Sequence, residues 1–104
     1  MYLPDIFKKF KDDYPEILDA YHKVGELCAG AGPMNLKTQH LVQLGIAIGV
    51  ASKGGVRSHV RRALDEGASE EEIRQTVLIS ATMVGFPAMI AAYQWTEEVL
   101  GGNE

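Results

Sequence analysis

Apolar residues recur at spacings of three and four along most of the chain. The breaks in that rhythm fall on glycine, proline and helix-capping residues. The pattern predicts about six helices. Pro4 and Asp5 open a short amphipathic segment that ends near Asp13. Tyr14-Pro15-Glu16 starts a second helix, because the missing N–H of a proline costs nothing in a first turn. That helix runs toward Cys28 with Ile17, Leu18, Tyr21, Val24 and Leu27 on one face, and Gly30-Ala-Gly-Pro33 ends it. Asn35 is placed to cap a third helix from Leu36 to about Ser52. Its second half, Leu44 to Ala51, is apolar on all sides, and such a helix must be buried on all sides. A domain this small can hardly surround one of its own helices, so the pattern points to neighbouring subunits. Gly45 and Gly49, four apart on one face, allow close backbone approach; they read equally as small residues in a tight core.

Lys53-Gly54-Gly55 reads as a break, followed by a fourth helix from Val56 to Glu66 that stops at Gly67 as a left-handed cap. Ser69 with Glu72 forms a capping-box signature for a fifth helix running to Val84. Its broad apolar side is Ile73, Val77, Ile79, Ser80, Met83 and Val84. Gly85-Phe86-Pro87 predicts a corner. The last helix then carries Met89, Ile90, Tyr93, Trp95, Val99 and Leu100 to a Gly101-Gly102 stop. No run has the alternation or β-branched content of a strand. The expectation is one all-α domain spanning residues 1–104.

Composition narrows the function classes. Hydrophobic residues make up 46% of the 104 and charged residues 23%, which fits a globular chain and excludes a disordered one. A net charge of −4 gives no reason to track a phosphate backbone, so no nucleic-acid partner is expected. Cys28 is the only cysteine, which rules out an intramolecular disulfide and any zinc spacing and favours a reducing compartment. The start, Met1 to Lys9, has no uninterrupted apolar core of a signal peptide. The apolar run from Leu44 to Ala51 is too short to span a bilayer. A cytoplasmic protein with no membrane partner is the expectation.

The candidate chemistry lies between the third and fourth helices. His59 stands one turn past the glycine break, near a helix N-terminus whose dipole lowers an imidazole pKa and suits it to acid/base work at neutral pH. It reads equally as a capping or core histidine with one hydrogen bond. His40 shares a helix face with Leu36 and Leu44 and can point inward; the alternative is a surface histidine near an interface. Two histidines without a third ligand give no expectation of a metal. Lys53, Arg57, Arg61 and Arg62 make a basic cluster in an acidic protein. Arg57 is the candidate for clamping an anionic substrate, since a guanidinium pairs bidentately with a carboxylate. Arg61 and Arg62 read as a solvated face bridged to Asp65 and Glu66. Ser52 is a candidate hydrogen-bonding group for a ligand, or simply a helix-ending serine. Cys28 reads as a small buried residue, and Phe86, Tyr93 and Trp95 as core or interface.

Two segments together, Leu36-Lys-Thr-Gln-His40-Leu41 and His59 through Ile73 followed by Gly85-Phe86-Pro87, resemble the carboxymuconolactone decarboxylase family, which includes the AhpD-like alkylhydroperoxidases. The resemblance covers about residues 20 to 100 and implies an AhpD-like helical fold, usually built into trimers or hexamers. The redox branch carries Cys-x-x-Cys-x-x-x-His with a glutamate on the third helix. On this chain His59 takes the histidine position, Ser52 and Gly55 stand where the cysteines would be, and His40 stands where the glutamate would be. Without a thiol pair, thiol–disulfide exchange is closed. The decarboxylase branch also lacks the pair and keeps the histidine, and Gly85-Phe86-Pro87 is similar to its corner. The resemblance therefore implies a homo-oligomeric, cofactor-free decarboxylase or isomerase of a small carboxylated lactone or related anionic acid. His59 would be its acid/base, with His40 assisting and Arg57 holding a carboxylate. The alternatives are a peroxidase relative that has lost its redox activity, and a non-catalytic oligomeric scaffold that binds a ligand.

Overall fold

A computed structural model describes residues 4–102. Met1 to Leu3, where the segment read for a leader begins, lie outside the described residues, as do Asn103 and Glu104. Six helices account for most of the described chain: α1 (Asp5–Asp13), α2 (Pro15–Ala29), α3 (Leu36–Gly49), α4 (Lys53–Asp65), α5 (Glu70–Val84) and α6 (Phe86–Leu100). Among the described residues there is no strand. Helix contacts divide the chain into two compact units, one ending at Pro33 and one starting at Met34.

The first unit is the α1–α2 pair. Pro15 occupies the first turn of α2, as its missing donor dictates. Phe10 and Tyr14 stack at the joint with ring centroids 5.4 Å apart. Leu18 is buried, whereas Ile17, Tyr21, Val24 and Leu27 are each more than half exposed. The face predicted from spacing exists, but most of it stays open. Cys28, expected to be buried, is exposed.

The second unit is a four-helix bundle of α3 to α6. Leu44, Val56, Val60, Ala63, Ile73 and Val77 are fully buried at its centre, with Ile48, Met89 and Ala92 around them. Local chemistry sets the helix ends. The Asn35 side chain accepts the Thr38 backbone N–H at 2.8 Å. The box at α5 is complete in both directions: the Glu72 N–H donates to Ser69 Oγ and the Ser69 N–H donates to Glu72 Oε1. Gly67, with φ +91, ends α4 in a Schellman motif, in which its own N–H reaches Leu64 O and the Ala68 N–H reaches Ala63 O. Gly85, with φ +90, turns the chain from α5 into α6. Ion pairs tie the helices across the bundle, Lys37 to Glu72 at 3.1 Å and Arg74 to Glu97 at 2.8 Å. Both are part-exposed and contribute little each.

Two features differ from the sequence reading. The break between α3 and α4 is Val50-Ala51-Ser52, not Lys53-Gly54-Gly55, and α4 begins three residues earlier than predicted. The two glycines are absorbed into a first turn because Ser52 caps it: Ser52 Oγ accepts the Gly55 N–H at 3.0 Å. The second difference is burial. The apolar half of α3 is not enclosed on all sides within one chain. Leu44 and Ile48 face the core, but Ile46 is 60% and Val50 71% exposed.

Helix α3 ends in the same motif as α4, with an alanine where glycine is usual. Ala51 sits at φ +55, its N–H reaching Ile48 O while the Ser52 N–H reaches Ala47 O. A left-handed conformation costs an L-residue about 1–2 kcal/mol, partly offset in glycine by its larger unfolded-state entropy. Ala51→Gly is therefore expected to stabilise the chain by about 0.5–1 kcal/mol, read as a higher urea midpoint at an unchanged slope.

Candidate functional site

The turn at Ala51 makes α3 and α4 an antiparallel hairpin. His40 lies eleven residues before Ala51 and His59 eight after it, so a rise of about 1.5 Å per residue brings them to similar heights on facing helices. Their Nδ1 atoms are 3.4 Å apart and their ring centroids 5.6 Å apart, with the planes tilted by 30°. Both rings are half-buried. A contact between two Nδ1 atoms requires one ring to carry its proton there and the other to present a lone pair. The two rings are then different tautomers, and the ring whose Nδ1 accepts has its N–H at Nε2.

His59 also lines an open cavity of about 220 Å³ together with Gln43, Ile46, Ala47, Val50, Ser52 and Gly55. The wall is mostly apolar, with the Gln43 amide, the Ser52 hydroxyl and the His59 ring as its polar points. Gly55 is small for a reason. A Cβ there would lie 2.8 Å from Ser52 Oγ and 3.1 Å from the Ala47 Cβ. Ser52 therefore serves first as a helix cap; its oxygen accepts from Gly55, which leaves its own O–H free to donate to a ligand.

His59 has its pKa pushed down from 6.5 to about 4, first by burial, then by the positive charge of Arg62 and by His40. It is a neutral imidazole at pH 7. Arg62 lies one turn on from His59, on the same helix face. Arg57, two residues before His59, is rotated by about 200° around the helix and faces elsewhere. Its guanidinium pairs with Glu98 of α6 at 2.6 Å, and its Nε is buried without a hydrogen-bond partner. The structure thus brings His40, His59 and Ser52 to one place and sets Arg57 apart from them. Arg62 is the cation that sequence reasoning passed over, although the i, i+3 spacing to His59 could have found it. Among the described residues, Arg62 forms no ion pair with Asp65 or Glu66. No group of three or more His, Cys, Asp or Glu among the described residues could hold a metal ion. No described helix is long and apolar enough to cross a membrane.

The His59 shift links to stability with a definite sign. A histidine whose pKa is lowered on folding binds fewer protons folded than unfolded between the two values. Its contribution is complete above pH 6.5 and is lost as pH falls toward 4. Part-exposure reduces the effect to about 1–2 kcal/mol. Urea midpoints are expected to fall between pH 7 and pH 4.5 in the wild type and to fall less in His59→Gln. The carboxylates of Glu97, held low by Arg74, and of Glu72, held low by the Ser69 N–H, add their losses further into the acid range.

Fold and site together define an all-helical protein with His59 at the wall of a cavity, beside a helix N-terminus, and His40 in contact with it. Residues 15–98 match the carboxymuconolactone decarboxylase family, and the chain belongs to that family. It is similar to the uncharacterized protein MJ0742 of Methanocaldococcus jannaschii, 25% identical over 93 residues that cover 88% of this chain and 89% of that one. Its fold is that of the apo crystal structure of lpg0406, a carboxymuconolactone decarboxylase family protein from Legionella pneumophila. The TM-score is 0.79 at 20% identity, over 94% of this chain and 88% of that chain.

Proposed function

We propose that the chain is a cofactor-free acid/base enzyme that decarboxylates or isomerises a small carboxylated lactone or related acid, with His59 holding and moving the proton. The observation that carries this reading is the contact of His40 with His59, the histidine that lines the cavity. A neutral imidazole, oriented by a second one, faces a space into which a small molecule fits. His40 fixes the tautomer of His59, and the Ser52 hydroxyl and Gln43 amide offer hydrogen bonds to substrate oxygens. Arg62, whose charge acts on His59, takes the role first given to Arg57, which is paired with Glu98.

For a double-bond shift out of conjugation, neutral His59 takes a proton from the γ-carbon, at the far end of the conjugated system. The imidazolium returns it at the carbon next to the carbonyl, with no net change in protons. For decarboxylation the C–C bond breaks, carbon dioxide leaves, and the electron pair passes into the lactone carbonyl. One proton must then reach carbon. An anionic carboxylate beside His59 opposes the field of Arg62 and favours the imidazolium. The proton is thereby taken up together with the substrate and delivered to the dienolate.

The test is a panel of small carboxylated lactones and unsaturated acids, followed by carbon dioxide release and by loss of conjugated absorbance. Turnover by the wild type that His59→Gln lacks supports the proposal. Turnover that His59→Gln keeps removes His59 from the chemistry. Ligand binding without turnover points instead to a binding module on the same fold.

A further inference from the structure

We infer that the substrate of this site carries a single carboxylate and, at its other end, a small uncharged apolar group, and that Ile46 and Val50 select for it by giving a second carboxylate no partner. The inference deepens the reading of the cavity as the substrate site and rests on it.

The hairpin of α3 and α4 grades the site along its length. Counted from Ala51, Val50 and Ser52 stand one residue away, Ala47 and Gly55 four, Gln43 and His59 eight, and His40 and Arg62 eleven. A rise of about 1.5 Å per residue on both helices puts the members of each pair at similar heights. At the turn end the lining is Ile46, Ala47 and Val50, with the Ser52 hydroxyl as the polar group among them. The His59 ring and the Gln43 amide come next. Positive charge lies beyond them, at Arg62.

Charge is therefore one-sided. From Leu41 to Ser52 there is no charged residue, so α3 and the turn bring none to the cavity wall. On α4, Lys53 is exposed and does not line the cavity, and Arg57 is paired with Glu98. Arg62 is half-buried, forms no ion pair among the described residues, and bears on His59 with its charge. A lone guanidinium one turn from His59 can hold one carboxylate. At the turn the C-terminus of α3 meets the N-terminus of α4, so two opposite helix dipoles offset each other there. The Gly55 N–H, which faces that end, is already taken by Ser52 Oγ. A second carboxylate placed there would exchange water for an apolar wall with no cation.

An alkyl group gains from the same wall. Ile46 and Val50 are more than half exposed, so a group laid on them takes their surface out of water along with its own. Each methylene covered in this way strengthens binding by about two- to fourfold. The cavity of about 220 Å³ is smaller than the roughly 300–1,000 Å³ of sites that enclose a drug-sized ligand, so the apolar group is small.

The experiment titrates the full chain at pH 7 with two unreactive acids of one shape, glutarate and 5-methylhexanoate. They differ at the far end, where glutarate has a second carboxylate and its analogue an isopropyl group. Binding is read from the His59 ring resonance by NMR, identified by its absence in His59→Gln, with exposed His22 as reference. The isopropyl acid is expected to bind tighter than glutarate by on the order of tenfold. Ile46→Lys and Val50→Lys each put a cation at the turn end on a position that is already exposed, so two independent variants carry the test. Either is expected to bring glutarate level with its analogue or ahead of it. Arg62→Gln is expected to weaken both acids by a similar factor.

A wild type that binds glutarate as tightly as the isopropyl acid would overturn the inference. So would a preference that neither lysine moves, an Arg62→Gln that weakens neither acid, or acids that shift His59 no more than His22. The two readings fail separately. Selective binding without turnover of any lactone would remove the catalytic reading and leave this selectivity standing. Turnover that His59→Gln abolishes, with glutarate bound as tightly as its analogue, would do the reverse.

Discussion

His59→Gln is expected to lower kcat for decarboxylation or isomerisation by about 10²–10⁴-fold, the range for removing a positioned general acid or base. Glutamine keeps a hydrogen-bonding side chain of similar reach and no charge, so the contact with His40 can persist while proton transfer is lost. The cap at Ser52 and the buried residues Val56, Val60 and Ala63 of α4 are untouched, so the fold should hold. At pH 7 the variant should match the wild type in circular dichroism and lie close to it in urea midpoint. His40→Gln tests a different role. If His40 orients His59, its loss should mainly lower kcat and move the pH profile, because one cause of the lowered His59 pKa disappears. With that cause removed, the acid limb of kcat/KM should move up in pH. A profile that stays in place would assign His40 to packing alone.

Ile73→Ala is expected to cost about 2–5 kcal/mol, the range for truncating a buried isoleucine and leaving a cavity. Ile73 is fully buried in the core of the bundle, one turn before Val77 on the same face of α5. A chain of this size has total stability on the order of 5–15 kcal/mol, so the loss is a large part of it. Ile73→Val removes a single methylene and should cost about 0.5–1.5 kcal/mol. Urea unfolding at pH 7 checks both. A shift for Ile73→Ala no larger than that for Ile73→Val would mean that the core closes over the gap.

The local signals were the legible ones. Asn35, Ser69 with Glu72, Gly67 and Pro15 each placed a helix end, because a cap is decided by a few adjacent residues. His40 and His59 were legible as candidates, from the helix face of His40 and from the resemblance; their contact was not, because it depends on the turn at Ala51 that sets α3 against α4. What escaped had physical causes. Lys53-Gly54-Gly55 looked like a break, since glycine weakens a helix interior. The cap by Ser52 and the close contact of Gly55 with Ala47 outweighed that cost. Arg57 was chosen for its nearness in sequence to His59, but two residues along a helix is the far side. Burial was the hardest to read. Spacing marked the apolar faces of α2, α3 and α5, but a stripe at helical spacing does not say whether its own chain or another one covers it.

The small clearance at Gly55 bears on how this site could change over time. The sequence resemblance sets Ser52 and Gly55 at the positions of the cysteine pair in the family's redox branch. A cysteine at position 52 exchanges one oxygen for a sulfur and asks little of the neighbours. A cysteine at position 55 asks more, because its first side-chain atom would land 2.8 Å from the oxygen that caps α4 and 3.1 Å from the methyl of Ala47. A thiol at position 55 would require the Ser52 cap of α4 to shift. The two positions are therefore unequal: a thiol at 52 asks for little rearrangement, whereas any side chain at 55 displaces the group that caps α4.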